Sequence, residues 1–347
     1  MRLLIVTQKV DREDPILGFF HTWLLEFAKQ VESLTVICLS EGVHSLPENV
    51  TVYSLGKEEG ERSLLLYSFD FLQRVIRLRD TYDTVFVHMN PEYLILAGAF
   101  WRVTGKRTAL WYMHKEVSWR LRLGVFFAHD VFTATKESMR LDTRKKRVMG
   151  HGIDTDTIPE LTPPNYPPLH LVSVSRISRI KRLHILIETV SQLLEGGIEA
   201  ELTLIGGPVT DDDEVYLKEL HGQAEALGSA VRIRFMGPVE RSELRYVFED
   251  AHLFLHASAT GSLDKASLEP LLAGVPVITV SEELAELSLP GILLAAPNAE
   301  AFTSVVRKAI GTRLWDDTEI RASSRAYVME QHDVAKLIPR ILAIVQT

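Results

Sequence analysis

One stretch constrains the fold more than any other. It runs from Ser258 to Pro276, Ser-Ala-Thr-Gly-Ser-Leu-Asp-Lys-Ala-Ser-Leu-Glu-Pro-Leu-Leu-Ala-Gly-Val-Pro, between the apolar runs His252–Ala257 and Val275–Val280. Two buried strands joined by a helix pattern form a βαβ crossover, which demands a parallel sheet with helices on its faces. Asp264 reads as an N-cap. The backbone N–H groups of Lys265, Ala266, Ser267 and Leu268 then open the helix and offer an anion site. Glu269 falls in the first turns, within reach of a sugar hydroxyl. Gly274 and Pro276 end the helix and start the next strand. Pro270 removes a helical hydrogen bond, so a late start or a kink is expected. On local chemistry alone, an ordinary crossover with a solvated acid and lysine remains the alternative.

The same alternation runs along the whole chain. Leu3–Thr7, Leu34–Leu39, Val50–Leu55, Thr84–His88 and Thr108–His114 read as strands, and Phe19–Val31 and Leu64–Leu78 as helices. The first strand–helix turn carries Gly18 and lacks a GxGxxG, so it has no dinucleotide fingerprint. His88 and His114 end strands, where parallel sheets bind ligands. Lys115–Phe127 interleaves basic and aromatic residues, and Arg144-Lys-Lys-Arg147 adds a basic run, read first as a solvated face. Pro159–Pro168 holds five prolines in ten residues and marks a stiff linker. Beyond it the βα pattern resumes with strands at Leu171–Val174, Glu201–Ile205 and Val231–Met236. Asp211-Asp-Asp213 is read as an acidic helix start, not a metal site.

Composition narrows the classes. A chain of 347 residues suits two sheet-based cores. A formal charge of −8 argues against general nucleic-acid binding. A single cysteine, Cys38, rules out an internal disulfide framework and suits a reducing, cytoplasmic compartment. No apolar run approaches the roughly 20 residues of a spanning helix. The N-terminal apolar run is too short for a signal peptide.

Arg176 and Lys181, just after a strand end, suit one diphosphate: a bidentate fork plus a point charge. With the helix start at Lys265–Leu268 they give one wall two sources of positive potential. Glu269, an acceptor-only group, suits ribose hydroxyls.

These residues carry a resemblance. Ser175-Arg176…Lys181, Leu204-Ile-Gly-Gly-Pro208, Phe235-Met-Gly237, and Glu269 followed by Leu272-Ala-Gly-Val-Pro276 resemble the donor domain of retaining GT-B glycosyltransferases of the family 4 type, the glycosyl transferases group 1. The first half is similar more loosely, through the Gly18 loop, Asp83…His88, His114 and Gly152-Ile-Asp154. The resemblance implies an α/β protein of two Rossmann-like, doubly wound parallel-sheet domains facing across a cleft. Residues 1–165 plus about 333–347 would bind the acceptor, and 166–332 the nucleotide-sugar donor. It implies His114, Arg176 and Lys181 as catalytic residues. Gly18, Arg176, Lys181, Lys265, Ala266, Ser267 and Leu268 would hold the diphosphate, and Asp264 and His114 the donor sugar. Glu269, Gly207, Pro238 and Val239 would meet ribose and nucleobase, and His88 the acceptor. No metal or cofactor is implied. The family's paired glutamates are separated by seven residues, and the first position here is Gly261. Asp264 substitutes for that carboxylate, or the donor is unusual, or activity is lost.

The implied partners are a nucleoside-diphosphate sugar and a glycan, lipid-linked or small-molecule acceptor. Peripheral contact of the first domain with the inner face of a membrane is left open. A nucleotide-sugar epimerase and a degenerate nucleotide-binding protein are the rival classes.

Overall fold

The computed structural model describes residues 1–346 apart from Pro15, 229–231, 241–242 and 260–262. The chain forms two compact units, Met1–Asp154 with Gln331–Thr347, and Thr155–Glu330.

The first unit runs β1 (Arg2–Val10), α1 (Phe19–Gln30), β2 (Ser33–Glu41), β3 (Val50–Ser54), α2 (Leu64–Arg77), β4 (Thr84–His88), α3 (Glu92–Val103), β5 (Arg107–Trp111), α4 (Trp119–Phe127), β6 (Asp130–Thr133) and β7 (Lys146–Val148). Its parallel strands lie in the order β3-β2-β1-β4-β5-β6-β7. Alternate residues of β1 face opposite layers: Leu3 and Ile5 meet Phe20, Trp23 and Phe27 of α1, and Leu4 and Val6 join the core of Phe71, Tyr93 and Leu121. Burial on both faces is why these strands read as continuous apolar runs.

The second unit runs β8 (Leu169–Val174), α5 (Leu183–Glu195), β9 (Ala200–Ile205), α6 (Asp211–Ala226), β10 (Arg232–Gly237), α7 (Leu244–Glu249), β11 (Leu253–His256), α8 (Lys265–Ala273), β12 (Val277–Thr279), α9 (Glu282–Ala285), β13 (Ile292–Leu294), α10 (Ala299–Thr312) and α11 (Thr318–Gln331). Its parallel sheet has the order β10-β9-β8-β11-β12-β13. Thr210 and Asp213 close a capping box at the start of α6, so the acidic run opens a helix. The chain then returns to the first unit as α12 (Val334–Gln346), whose Leu337, Ile338, Ile341 and Leu342 pack into the same core as α1.

Four expectations change. The units divide after Asp154, ahead of the prolines and not at 165. Residues 158–161 already bond within the second unit: Leu161 N donates to Ala273 O at 3.2 Å, Arg325 to Ile158 O at 3.0 Å, and Arg321 to Leu161 O. β5 stops at Trp111, so His114 lies in the following loop. α8 starts at Lys265 despite Pro270 and ends at Gly274, one turn past the proline, where φ is 82°. The basic run is not simply solvated. Lys145 Nζ donates to Val125 O, Phe126 O and Ala128 O at 2.8, 3.1 and 2.6 Å, closing the carbonyl end of α4.

Candidate functional site

In the second unit β8 is central, with β9 on one side and β11 on the other. The chain leaves β8 toward β9 and later returns to β11. The strand order therefore reverses between β8 and β11, and the loops beyond their carboxyl ends diverge around a crevice.

The loop after β8 is pinned to its neighbour. Ser175 N donates to Ile205 O at 2.9 Å and Ile177 N to Gly207 O at 3.0 Å. Gly206 has φ +124°, and a Cβ there would run into the Ser175 carbonyl oxygen, so only glycine fits where the two loops cross. Arg176 is left exposed. A single 3₁₀ turn, Arg179–Lys181, follows. Ala259 N donates to Ile180 O at 3.0 Å, which draws the loop after β11 onto that turn.

This juxtaposition brings Lys181 to the start of α8. Lys181 Nζ lies 2.6 Å from Asp264 Oδ2, with the two side chains 11% and 22% exposed. Asp264 also caps α8: its Oδ1 accepts from Ala266 N at 3.2 Å and its carbonyl from Ser267 N at 3.0 Å. Burial opposes the charge on Asp264. The His256 ring and the Lys181 ammonium outweigh it and hold the carboxyl well below the usual carboxylate range.

The helix start differs from the expectation in one respect. Asp264 itself engages the N–H groups of Ala266 and Ser267, so an anion there competes with the cap. The carboxylate expected at the donor sugar has both oxygens engaged by Lys181 and the helix. Leu268 and Glu269 lie on the buried face of α8. Ser178 Oγ and Ser267 Oγ are buried, and among the described residues neither has a hydrogen-bond partner. Gly261 lies outside the described residues.

Gly207 and Pro238 come together on the β9–β10 side: a Cβ on Gly207 would stand 3.4 Å from Pro238 Cδ. Val239 lines a cavity of about 360 Å³ with Thr203, Met236 and Tyr246.

In the first unit the strand order reverses between β1 and β4. Thr7 Oγ1 and His88 Nδ1 meet there at 3.2 Å. The His88 ring stacks on Phe20 at 4.0 Å between centroids and is 2% exposed. His88, expected on the acceptor side, is covered by the aromatic face of α1. His114 is exposed, and its Nδ1 accepts from Glu116 N at 3.2 Å. Gly18 caps α1 without a side chain. A Cβ there would stand 2.6 Å from Asp14 O and 2.8 Å from Arg12 O, so close backbone approach accounts for this glycine.

Sequence reasoning missed His256. It ends β11 and is buried, with Nδ1 2.9 Å from Thr279 Oγ1 and Nε2 3.6 Å from Asp264 Oδ2. The available signal was its strand-end position, the feature that singled out His88. Among the described residues no group of three His, Cys, Asp or Glu is arranged to hold a metal ion.

The glycosyl transferases group 1 family model matches residues 154–327, half of the chain. The chain belongs to that family. Among curated relatives, "Putative colanic acid biosynthesis glycosyltransferase WcaL" of Escherichia coli (strain K12) is 26% identical over 216 residues, covering 59% of this chain and 51% of that protein. The chain spans about half the length of the curated relatives it matches. Among solved structures, Anabaena HepE in complex with UDP aligns over 100% of both chains with a TM-score of 0.77 at 18% identity. Sucrose-phosphate synthase from Thermosynechococcus elongatus aligns over 99% of this chain and 98% of that one, with a TM-score of 0.76 at 14% identity. At these identities the likeness shows the fold, the two-domain Rossmann-like architecture called GT-B.

Proposed function

We propose that the chain is a retaining, metal-independent glycosyltransferase that moves a sugar from a nucleoside-diphosphate sugar to an acceptor hydroxyl. The observation that carries this reading is the Lys181–Asp264 pair at the strand-order reversal of the second unit. It sets an ammonium beside a helix N-terminus, with Arg176 exposed on the same loop. In this reading Arg176 and Lys181 bind the donor diphosphate. Both interactions strengthen as negative charge develops on the leaving group, so they lower the barrier and do more than hold the ground state. Two cations and a helix dipole supply the positive charge that a metal ion supplies elsewhere. Asp264 serves as the counter-ion of Lys181 and the cap of α8. Glu269 meets the ribose, and Gly207, Pro238 and Val239 meet the base. Lys265, Ala266, Ser267 and Leu268 form the helix start, and Gly18 and His114 of the first unit keep the donor-side roles that the family resemblance implies. HepE was solved with UDP, which supports a uracil nucleotide as the first donor to try.

The deciding experiment incubates the protein with a panel of nucleotide sugars and candidate acceptors. Nucleotide release with a glycoside whose anomeric configuration matches the donor, unaffected by EDTA, is the expected result. An isomerised donor would instead identify an epimerase. Binding without turnover would identify a degenerate nucleotide-binding protein.

The first unit is read as the acceptor side, with a lipid-linked acceptor. α2 buries Tyr67, Phe71 and Val75 yet leaves Leu64, Leu65 and Phe69 84%, 83% and 65% exposed. α4 adds exposed Trp119 and Phe126 beside Arg120 and Arg122. Apolar and aromatic side chains flanked by arginine suit the headgroup region of an anionic bilayer. No described helix is long and apolar enough to cross a membrane. In this reading the contact is peripheral and lies at the inner face of the membrane. Co-sedimentation with phosphatidylglycerol–phosphatidylcholine vesicles, lost in Leu65→Gln/Phe69→Gln, is expected. Equal sedimentation of the double variant would refute it.

A further inference from the structure

The buried end of β11 holds a histidine that the donor-site reading leaves without a task. His256 sits between two partners of different kinds. On one side, Asp264 Oδ2 is 3.6 Å from its Nε2. On the other, Thr279 Oγ1 is 2.9 Å from its Nδ1, and the same oxygen accepts from Ser281 N at 2.9 Å. A carboxylate offers only acceptors, and although 3.6 Å is beyond hydrogen-bond distance, we take the neutral tautomer with its hydrogen on the nitrogen facing Asp264. Nδ1 is then bare and accepts the Thr279 hydroxyl. When the ring is protonated, Nδ1 carries a hydrogen as well, and the same hydroxyl oxygen can turn to accept it. A hydroxyl is the one side-chain partner that serves both states without any backbone change.

Asp264 has its counter-ion elsewhere, in Lys181. With Lys181 and Asp264 both charged and His256 neutral, the cluster carries no net charge. An anion on Lys181 draws the ammonium away from Asp264 and adds negative charge beside it, which favours the protonated imidazole.

We infer that His256 is the proton acceptor of donor binding: as a nucleoside diphosphate takes the Lys181 ammonium, the buried imidazole gains a proton and replaces the lysine as counter-ion of Asp264. The inference rests on the donor-site reading above. The proton comes from solvent. His256 goes from one ring hydrogen to two, Thr279 changes from donor to acceptor, and no bond to carbon is made or broken. Among the described residues, Asp264, from the cap of α8, meets His256, and Lys181, from the 3₁₀ turn, meets Asp264. On the β12 side Thr279 and Ser281 are uncharged. The other ionisable residues on the packed elements are Lys265 and Glu269 of α8 and Glu283 of α9, and none of them changes between the two proteins compared below. In this role His256 positions and compensates; it does not touch the reacting atoms.

The test is calorimetry of the whole protein with UDP-glucose, GDP-mannose, ADP-glucose and dTDP-glucose, in buffers of different ionisation enthalpy. Their esterified diphosphates hold a fixed charge around neutral pH, so proton uptake reports the protein. Wild type should take up on the order of half a proton per nucleotide sugar bound near pH 7, with Kd weakening about 3–10-fold from pH 6 to pH 8. His256→Gln keeps a neutral N–H donor where Nε2 stood but cannot gain a proton. It should bind with uptake near zero and a flat pH profile. Histidine-selective ¹³C NMR of wild type gives a reading free of any folding defect: the His256 ring resonance should move toward the imidazolium position on adding nucleotide sugar. Binding with the same proton count in both proteins, or an unmoved His256 resonance, would overturn this inference alone. No binding of any probe would overturn the donor-site reading and this inference with it.

Discussion

Lys181 and Asp264 are separated by 83 residues, yet their charged ends lie 2.6 Å apart and partly buried at the switch point of the second sheet. The carboxylate holds the lysine in place and simultaneously caps the helix that follows. Under the proposed function, an incoming diphosphate meets an ammonium that already has a partner.

That arrangement separates two roles for Asp264. Asp264→Asn keeps a capping oxygen for Ala266 N but removes the charge facing Lys181. It should lower stability by about 1–3 kcal/mol, while nucleotide binding stays equal or tightens several-fold because Lys181 is no longer shared. Asp264→Ala should lose more stability, since the cap goes too. Thermal melts and nucleotide titrations read both effects. A tenfold weaker nucleotide-sugar Kd in the stable Asn variant would mean that Asp264 contacts the donor sugar after all.

Arg176→Ala and Lys181→Ala should each cost about 2–4 kcal/mol of transition-state stabilisation, by analogy with loss of an oxyanion donor. Steady-state kinetics on the first productive donor–acceptor pair measures it. Near-wild-type turnover at saturating donor in either variant would rule out that residue's diphosphate role. Arg176 is the cleaner probe, because removing Lys181 also strips Asp264 of its counter-ion.

Acid should destabilise both units through one buried histidine each. Burial, aided by His170, pushes His252 down to about 4, and burial with Arg340 pushes His332 down to about 4. In each, Nδ1 accepts a backbone N–H, from His170 and His151 respectively, both at 3.0 Å. Protonating that nitrogen would set two N–H groups against each other. The folded pKa lies below the unfolded value near 6.5, so the unfolded chain binds more protons in between. Stability is therefore complete above about pH 6.5 and falls as pH drops toward 4, by up to about 3 kcal/mol per histidine. Urea melts at several pH values check this. His252→Gln or His332→Gln should flatten the profile, and an unchanged slope in both would refute the assignment.

Lys145→Met should destabilise the first unit by about 1–3 kcal/mol, because three carbonyls at the end of α4 lose their shared donor. Arg144→Met, at the exposed neighbouring position, should stay within about 0.5 kcal/mol of wild type. Chemical denaturation distinguishes them, and equal effects would return the whole basic run to a solvated face.

Much of the architecture was legible because it is local. Strand runs buried on both faces and helices with a 3.6 period declare themselves within ten residues, and the family's donor-domain motifs cluster between Ser175 and Pro276. What was not legible depends on partners far away in the chain. Lys145 looked solvated because its carbonyls come from residues 17 to 20 positions earlier, brought near only when β7 pairs with β6. The cover over His88 was not legible because nothing nearby in sequence announces Phe20 stacked on it. The proline run looked like the boundary because its bonds to Ala273 and Arg321 are made more than a hundred residues on. The pairing of Asp264 with Lys181 was not legible because Lys181 lies on another βα loop, 83 positions earlier.

The first unit closes its core with a helix that lies beyond the whole second unit in sequence. Ile153 N donates to His332 O at 2.7 Å and Val334 N to Ile153 O at 2.8 Å, so the strand of chain going out and the strand coming back are stitched together at the junction. On the ribosome, α1 and its sheet emerge early but wait, with the apolar groove for Leu337, Ile338 and Ile341 uncovered, while some 175 residues of the second unit are made. The unit begun first is thus the one completed last, and its nascent form is the species that a chaperone would find.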